Sequence, residues 1–148
     1  MGASMEFELA NRVEEIGRLA EAIDAFSERE GLPPGHAYAL NLSLDELITN
    51  LVSYGYADQA EHRIRVAVHL EPDAVVVEMV DDGEPFNPFT EAPEPDIAAT
   101  VEDRAIGGLG VFLVRELMDE VAYRRDENRN HLRLLKYLPS RNPPDPPR

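Results

Sequence analysis

Glu46 and Asn50 stand four residues apart in Ser43-Leu44-Asp45-Glu46-Leu47-Ile48-Thr49-Asn50. On a helix that spacing turns both side chains to one face, about 40° apart around the axis. A carboxylate and an amide oxygen so placed suit a hard cation such as Mg²⁺, which takes oxygen ligands. Asn is a mediocre helix former, so its place in mid-helix calls for a reason. An ordinary polar helix face is the competing reading. A second group is Asp81-Asp82-Gly83. Val75, Val77 and Met79 share one side of an alternating strand, and Asp81 continues their parity, so it points as core residues do. A carboxylate there needs hydrogen-bond donors. Ionised, it only accepts, which suits an exocyclic amino group on a bound base. Gly83 would let the backbone approach that ligand. A simple Asp-Gly turn is the alternative. The third group is Gly107-Gly108-Leu109-Gly110 ahead of an apolar helical repeat. Bare N–H groups at a helix start make an anion cradle suited to phosphates; a flexible hinge is the alternative. No Lys-Ser or Lys-Thr follows, so the cradle is not a P-loop. The glycines follow a loop and not a strand, which disfavours a dinucleotide site.

The elements that must carry these groups are legible in outline. Glu6-Phe7-Glu8-Leu9 alternates as a short strand. Asn11, with Glu14 three residues on, has the form of a capping box opening a helix over about 12–30. Val13, Ile16, Leu19, Ala20, Ile23 and Phe26 are its apolar stripe. A second helix is expected over about 36–53, with Leu40, Leu44, Leu47, Ile48 and Leu51 buried, Glu46 and Asn50 turned away from them, and Gly55 as its stop. Ile64 to Leu70 and Ala74 to Val80 read as strands joined at Glu71-Pro72-Asp73, the second central because it is almost wholly apolar. Asp82 to Ile106, with four prolines, reads as one long irregular loop, a length that is often functional. A third helix follows the glycines. Glu120 to Arg125 and His131 to Tyr137 form a last strand pair, with Asn128, Arg129 and Asn130 as its turn. Pro139 to Arg148, half proline, should be a disordered tail. Helices mixed with hairpins, without βαβ alternation, predict an α+β fold: a two-layer α/β sandwich, its sheet mixed but mostly antiparallel, with about three helices on one face.

Composition narrows the function. The 148 residues fit one domain and are 43% hydrophobic, enough for a core. No cysteine is present, which excludes disulfides, thiolate metal sites and cysteine nucleophiles. The net charge of −15 repels phosphate backbones and anionic membranes, so direct nucleic-acid or membrane binding is not expected. A protein partner with a basic face fits better, although excess acid also simply keeps a protein soluble. No basic n-region with an apolar stretch opens the chain, and a cytoplasmic location is expected. His36, His62, His69 and His131 are scattered without helical pairing, which disfavours a transition-metal site. Tyr38, Tyr54 and Tyr56 could line a pocket, but packing is the commoner role.

The order of the three groups, helical E-x-x-x-N, then strand–D-x-G, a long loop, and G-G-x-G–helix, resembles the GHKL ATPase superfamily. The details of 43–50, 81–88 and 107–121 are similar to its small branch of bacterial anti-sigma factor serine kinases, over nearly the whole chain. The resemblance implies an ATP-binding domain over residues 5–138, with 82–106 as its lid. It implies ATP and Mg²⁺ as cofactors and Asn50 as the Mg²⁺ ligand. Asp81 would accept from the adenine amino group, Gly83 would admit the base, and Gly107, Gly108, Leu109 and Gly110 would wrap the phosphates. Glu46 would be the general base toward a serine on an anti-anti-sigma (STAS-type) protein, and a sigma factor would be the sequestered partner. Arg104, the only basic residue between Asp82 and Arg115, is the candidate γ-phosphate contact; a surface ion pair with Glu102 or Asp103 is its alternative. The resemblance also allows a homodimer, and the first strand could leave a pairable edge. A non-catalytic ATP-gated binding switch and a nucleotide-free α+β domain are the competing functions.

Overall fold

The computed structural model describes residues 2–91 and 108–139. Ten elements follow in chain order: β1 (Ser4–Ala10), a 3₁₀ turn (Val13–Glu15), α1 (Ile16–Glu30), α2 (Pro34–Tyr54), β2 (Arg63–Leu70), β3 (Ala74–Asp81), α3 (Pro88–Glu91), α4 (Gly108–Leu117), β4 (Glu120–Asp126) and β5 (Arg129–Tyr137). The five strands form one sheet in the order β1-β2-β3-β5-β4. Among the described residues every pairing is antiparallel, the orientation expected for most of the sheet. The apolar β3 is the middle strand, as its composition predicts.

Alternation divides the sheet cleanly. Ile64, Val66 and Val68, then Val75, Val77 and Met79, then Leu132 and Leu134 share one face and one core with the helices. Leu19, Ile23 and Phe26 come from α1, Leu40, Leu44, Leu47 and Ile48 from α2, and Val114 from α4. The opposite face carries a small cluster of Ala74, Val76 and Leu135 among charged neighbours such as Glu78 and Arg133. The molecule is thus a two-layer α+β sandwich with α1, α2 and α4 on one side. No described helix is long and apolar enough to cross a membrane.

Three local expectations are corrected. Asn11 does not cap a helix: its side chain accepts from the His62 N–H at 2.9 Å and donates to the Ala60 carbonyl at 3.2 Å. Helical geometry opens with a 3₁₀ turn, and Glu15, not Glu14, reaches back to the Ala10 N–H. The tertiary bond to the β2 entrance wins over the local cap. The β4–β5 turn is Glu127-Asn128, both at positive φ (52° and 62°), the backbone of a two-residue hairpin turn whose twist matches its strands. Arg129 and Asn130 therefore belong to β5. The stretch after Asp82 is not wholly irregular, because Pro88–Glu91 turn once as α3. The expected lid lies largely outside the described residues, as do Arg104, Gly107 and the tail beyond Pro139.

Candidate functional site

A cavity of about 390 Å³ opens between the C-terminal half of α2 and the end of β3. Leu47, Leu51, Met79 and Leu132 supply apolar walls, and Asn50, Asp81 and Asn130 converge on it as polar groups. Apolar walls with a few convergent polar groups are the usual make-up of a small-molecule site. Asn50 faces the same space as Leu47 and Leu51, so its face of α2 is not separate from the apolar stripe as the helical wheel suggested. Tyr54 lines the mouth and is 64% exposed; Tyr38 is exposed, and Tyr56 packs elsewhere.

Asp81 is 3% exposed at the end of the middle strand. Its Oδ1 accepts from the Gly83 N–H and from the Asn130 amide, both at 2.9 Å. Among the described residues no donor reaches Oδ2. Burial pushes the Asp81 carboxyl up from its ordinary value, opposed by the Asn130 and Gly83 hydrogen bonds and the Arg125 charge. A buried carboxylate with one oxygen committed and one open beside an apolar slot can accept a hydrogen bond from a planar ligand's amino group.

Asn130, which the sequence reading assigned to a turn, is the main support of this carboxylate. The register sets it opposite Asp81, and it is 4% exposed. Its amide donates to Asp81 and to the Glu84 carbonyl, each at 2.9 Å. Its oxygen accepts from the Tyr123 hydroxyl at 2.7 Å and, more weakly, from the Phe86 N–H at 3.4 Å. Arg125 donates to the Gly83 carbonyl at 2.8 Å. The available signal was parity: Asn130 alternates with Leu132 and Leu134 once the turn is moved back.

Gly83 has a packing reason beside the one expected from the sequence. A Cβ there would lie 2.6 Å from the Gly55 carbonyl oxygen and 3.2 Å from a Leu51 methyl. The close approach is to the C-terminus of α2, where Glu84 N–H also donates to Gly55 at 2.7 Å. Gly110 is tighter still. A Cβ on it would fall 2.9 Å from Glu46 Cδ, 3.2 Å from Glu46 Cβ, and closer to Oε2. The half-buried Glu46 carboxylate thus rests against the first turn of α4, at that helix's positive end. Burial, and then the charge of Asp45, push its carboxyl up from the ordinary value. Gly108 and Leu109 belong to the same turn. The Arg115 guanidinium donates to the Phe89 carbonyl at 3.0 Å and ties α4 to α3.

A five-stranded antiparallel sheet under three helices, with a base-sized slot closed by a strand-end Asp and a helical Glu facing a glycine-rich helix start, defines an ATPase domain of the histidine kinase type. Residues 9–136 match the family of the histidine kinase-like ATPase domain, and the chain belongs to that family. Its relatives are more particular. The chain is 30% identical to "Serine-protein kinase RsbW" of Listeria innocua over 115 residues, 76% of this chain and 72% of that protein. It is 29% identical to "Serine/threonine-protein kinase BtrW" of Bordetella bronchiseptica over 100 residues, 68% of this chain and 70% of that one. In fold it is similar to the crystal structure of the RsbU and RsbW domains of Rv1364c from Mycobacterium tuberculosis, with a TM-score of 0.62 at 13% identity. That match covers 94% of this chain, which spans only 34% of the longer one.

Proposed function

We propose that this chain is an ATP-dependent protein serine kinase of the anti-sigma type. It phosphorylates a serine on an anti-anti-sigma, STAS-type partner and sequesters a sigma factor. The carrying observation is the Glu46 carboxylate, set against the first turn of α4 one helical turn from Asn50, which lines the slot closed by Asp81. The names of the relatives, both protein kinases, support the reading.

In this reading Asp81 Oδ2 accepts from the adenine amino group while Asn130 holds Oδ1. Gly83 lets the β3 end pack on α2, which fixes the slot's width. Gly110, with Gly107, Gly108 and Leu109, wraps the phosphates, and Arg104 meets the γ-phosphate. Phosphoryl transfer needs chiefly positioning and charge neutralisation, with one group to orient the nucleophile. Glu46 takes the serine proton, and its raised pKa makes it a better base than an exposed carboxylate. Asn50 fits a Mg²⁺ ion that is held mostly by phosphates, since such ions take only one or two protein oxygens. When bound, that ion would neutralise phosphate charge. The ATP-binding unit is residues 5–138, its 82–106 stretch closes over the nucleotide, and 139–148 is a tail. The setting is the cytoplasm, and the working form a homodimer.

The test uses dephosphorylated cytosol of the source organism with Mg-ATP and either the wild-type protein or Glu46→Gln. Mass spectrometry compares phosphoserine on small proteins. A site that appears only with wild type supports the kinase and names its substrate. Equal samples, with ATP bound by both proteins, overturn transfer and leave an ATP-gated binding switch.

A further inference from the structure

The α2–β2 connection begins at Gly55, a wall of the slot, and ends at His62, which is far from any expected chemistry in the sequence. The His62 backbone is pinned to the end of β1: its N–H donates to Asn11 Oδ1 at 2.9 Å, and its carbonyl accepts from the Asn11 N–H at 3.1 Å. Its ring stacks on Tyr56, with centroids 4.3 Å apart and planes 18° apart. Nε2 lies 2.6 Å from Asp58 Oδ1, and Nδ1 lies 3.0 Å from Asp82 Oδ1. Asp58 is itself held by the Ala60 N–H at 3.1 Å. Both partners are carboxylate oxygens, which only accept. A neutral imidazole has one N–H and can serve one of them; only the imidazolium serves both.

Asp82 lies between the base-facing Asp81 and Gly83, whose N–H holds Asp81 Oδ1. A grip on Asp82 is therefore a grip on the turn that orients Asp81. We infer that His62 is a positioning residue of the nucleotide slot: its doubly donating ring staples Asp58 to Asp82 and so holds the Asp81–Gly83 turn in its base-accepting geometry. The inference rests on the nucleotide reading above.

The groups facing the ring are Asp58 on its own connection, Asp82 after β3, and the Tyr56 phenol beneath it. Tyr56 is pushed well above its ordinary value by burial and by Asp81 and Asp82, so it stays neutral. The adjacent Glu61 is occupied by Arg12 at 2.5 Å and Arg63 at 3.6 Å. Hydrogen bonds to Asp58 and Asp82 raise the His62 pKa above its ordinary 6.5. The staple is therefore complete on the acid side of that raised value. It loses one arm as pH rises through the raised value, and a bare ring nitrogen then faces a carboxylate.

The experiment measures Mg-ADP, adenosine and tripolyphosphate affinity by calorimetry from about pH 6 to about pH 9. It compares wild type, His62→Gln and Asp58→Asn, with each fold checked by thermal unfolding. The expected result is a wild-type Kd for Mg-ADP and adenosine that rises about threefold through the His62 titration, the scale of one partly exposed ion pair. The midpoint is read from the ring-proton resonance. His62→Gln binds with the weaker, high-pH affinity throughout. Asp58→Asn, which keeps the ring, shifts the midpoint down. Tripolyphosphate shows no such step. Equal Kd values and equal pH profiles in wild type and His62→Gln overturn the staple while leaving the slot intact. A step as large with tripolyphosphate as with adenosine also overturns it, because the effect then comes from general charge. Failure of every protein to bind Mg-ADP or adenosine overturns the nucleotide reading itself, and the staple with it.

Discussion

Gly110→Ala adds one methyl group where the Glu46 carboxylate already lies. The new Cβ would stand 2.9 Å from Glu46 Cδ and 3.2 Å from Glu46 Cβ, so the carboxylate must swing aside. Glu46 Cδ and Oε2 are the far end of a flexible side chain and can swing away, whereas Glu46 Cβ is fixed to α2 and must give by a few tenths of an ångström, so the cost to the fold is modest. Overpacking costs about 1–3 kcal/mol, and the helix propensity of Ala returns up to about 1 kcal/mol. The net, about 0–3 kcal/mol, should lower the melting temperature by no more than about 12 °C. Transfer should suffer far more. A displacement of about 1 Å in a positioned catalytic group can cost about 10²-fold in rate. The assay is phosphoserine formation on the partner at saturating ATP, in a cycle with Glu46→Gln. Because Gln has the same shape but no base, Gly110→Ala should lower the residual rate of Glu46→Gln by less than about threefold, the non-additivity of groups that act as one. An equal 10²-fold loss in both backgrounds would refute the argument. Gly110 would then act through phosphate binding alone and not through the position of the carboxylate.

Asp81→Asn exchanges an acceptor for a mixed amide, and ATP affinity should weaken by about 10- to 100-fold in calorimetry, the value of a hydrogen bond to a charged group. Raised by burial and Asp45, Glu46 should give kcat an acid limb above the ordinary Glu value, with activity lost as pH falls through it; Asp45→Asn should move that limb down. Asn130→Leu strands a buried carboxylate and should lower the urea-unfolding free energy by about 3 kcal/mol. Leu44→Ala, at the fully buried centre of α2, should cost about 2–5 kcal/mol by the same measurement without a change in Kd for ATP beyond that due to unfolding.

What could be read from the residues was set by how local the physics was. Alternation in Ile64–Leu70 and Ala74–Val80, and the spacing of Leu19, Ile23 and Phe26, reflect burial on one side of a single element, and the structure has those elements. Asn11 satisfied every local rule for a helix cap, yet its side chain serves His62 and Ala60 across the fold. Glu127 at positive φ is a poor turn candidate by type, so the expected turn starts one residue late, ends two residues late and hides Asn130 inside it. Asn50 and Asp81 drew attention because each was an odd residue for its element, and Glu46 because it shares a helix face with Asn50. Asn130, Tyr123 and Arg125 gain meaning only from pairings that join the second hairpin to the middle strand. His62 needed two carboxylates brought together from separate connections.

The junction of β3 with β5 also bears on how the chain acquires its activity. Asp81 and Asn130 are 49 residues apart along the chain but bonded side by side. The β2–β3 and β4–β5 hairpins need only short loops to close, so they can form early, whereas their union carries the entropy of a long closure. The slot lies on that seam: its acceptor comes from one hairpin and the acceptor's support from the other. A nascent chain without β5 lacks the Asn130 support of Asp81, however well its first half has folded. Nucleotide affinity through this slot should therefore report that β5 has docked on β3, and ATP should stabilise chains past that step over those that have not reached it.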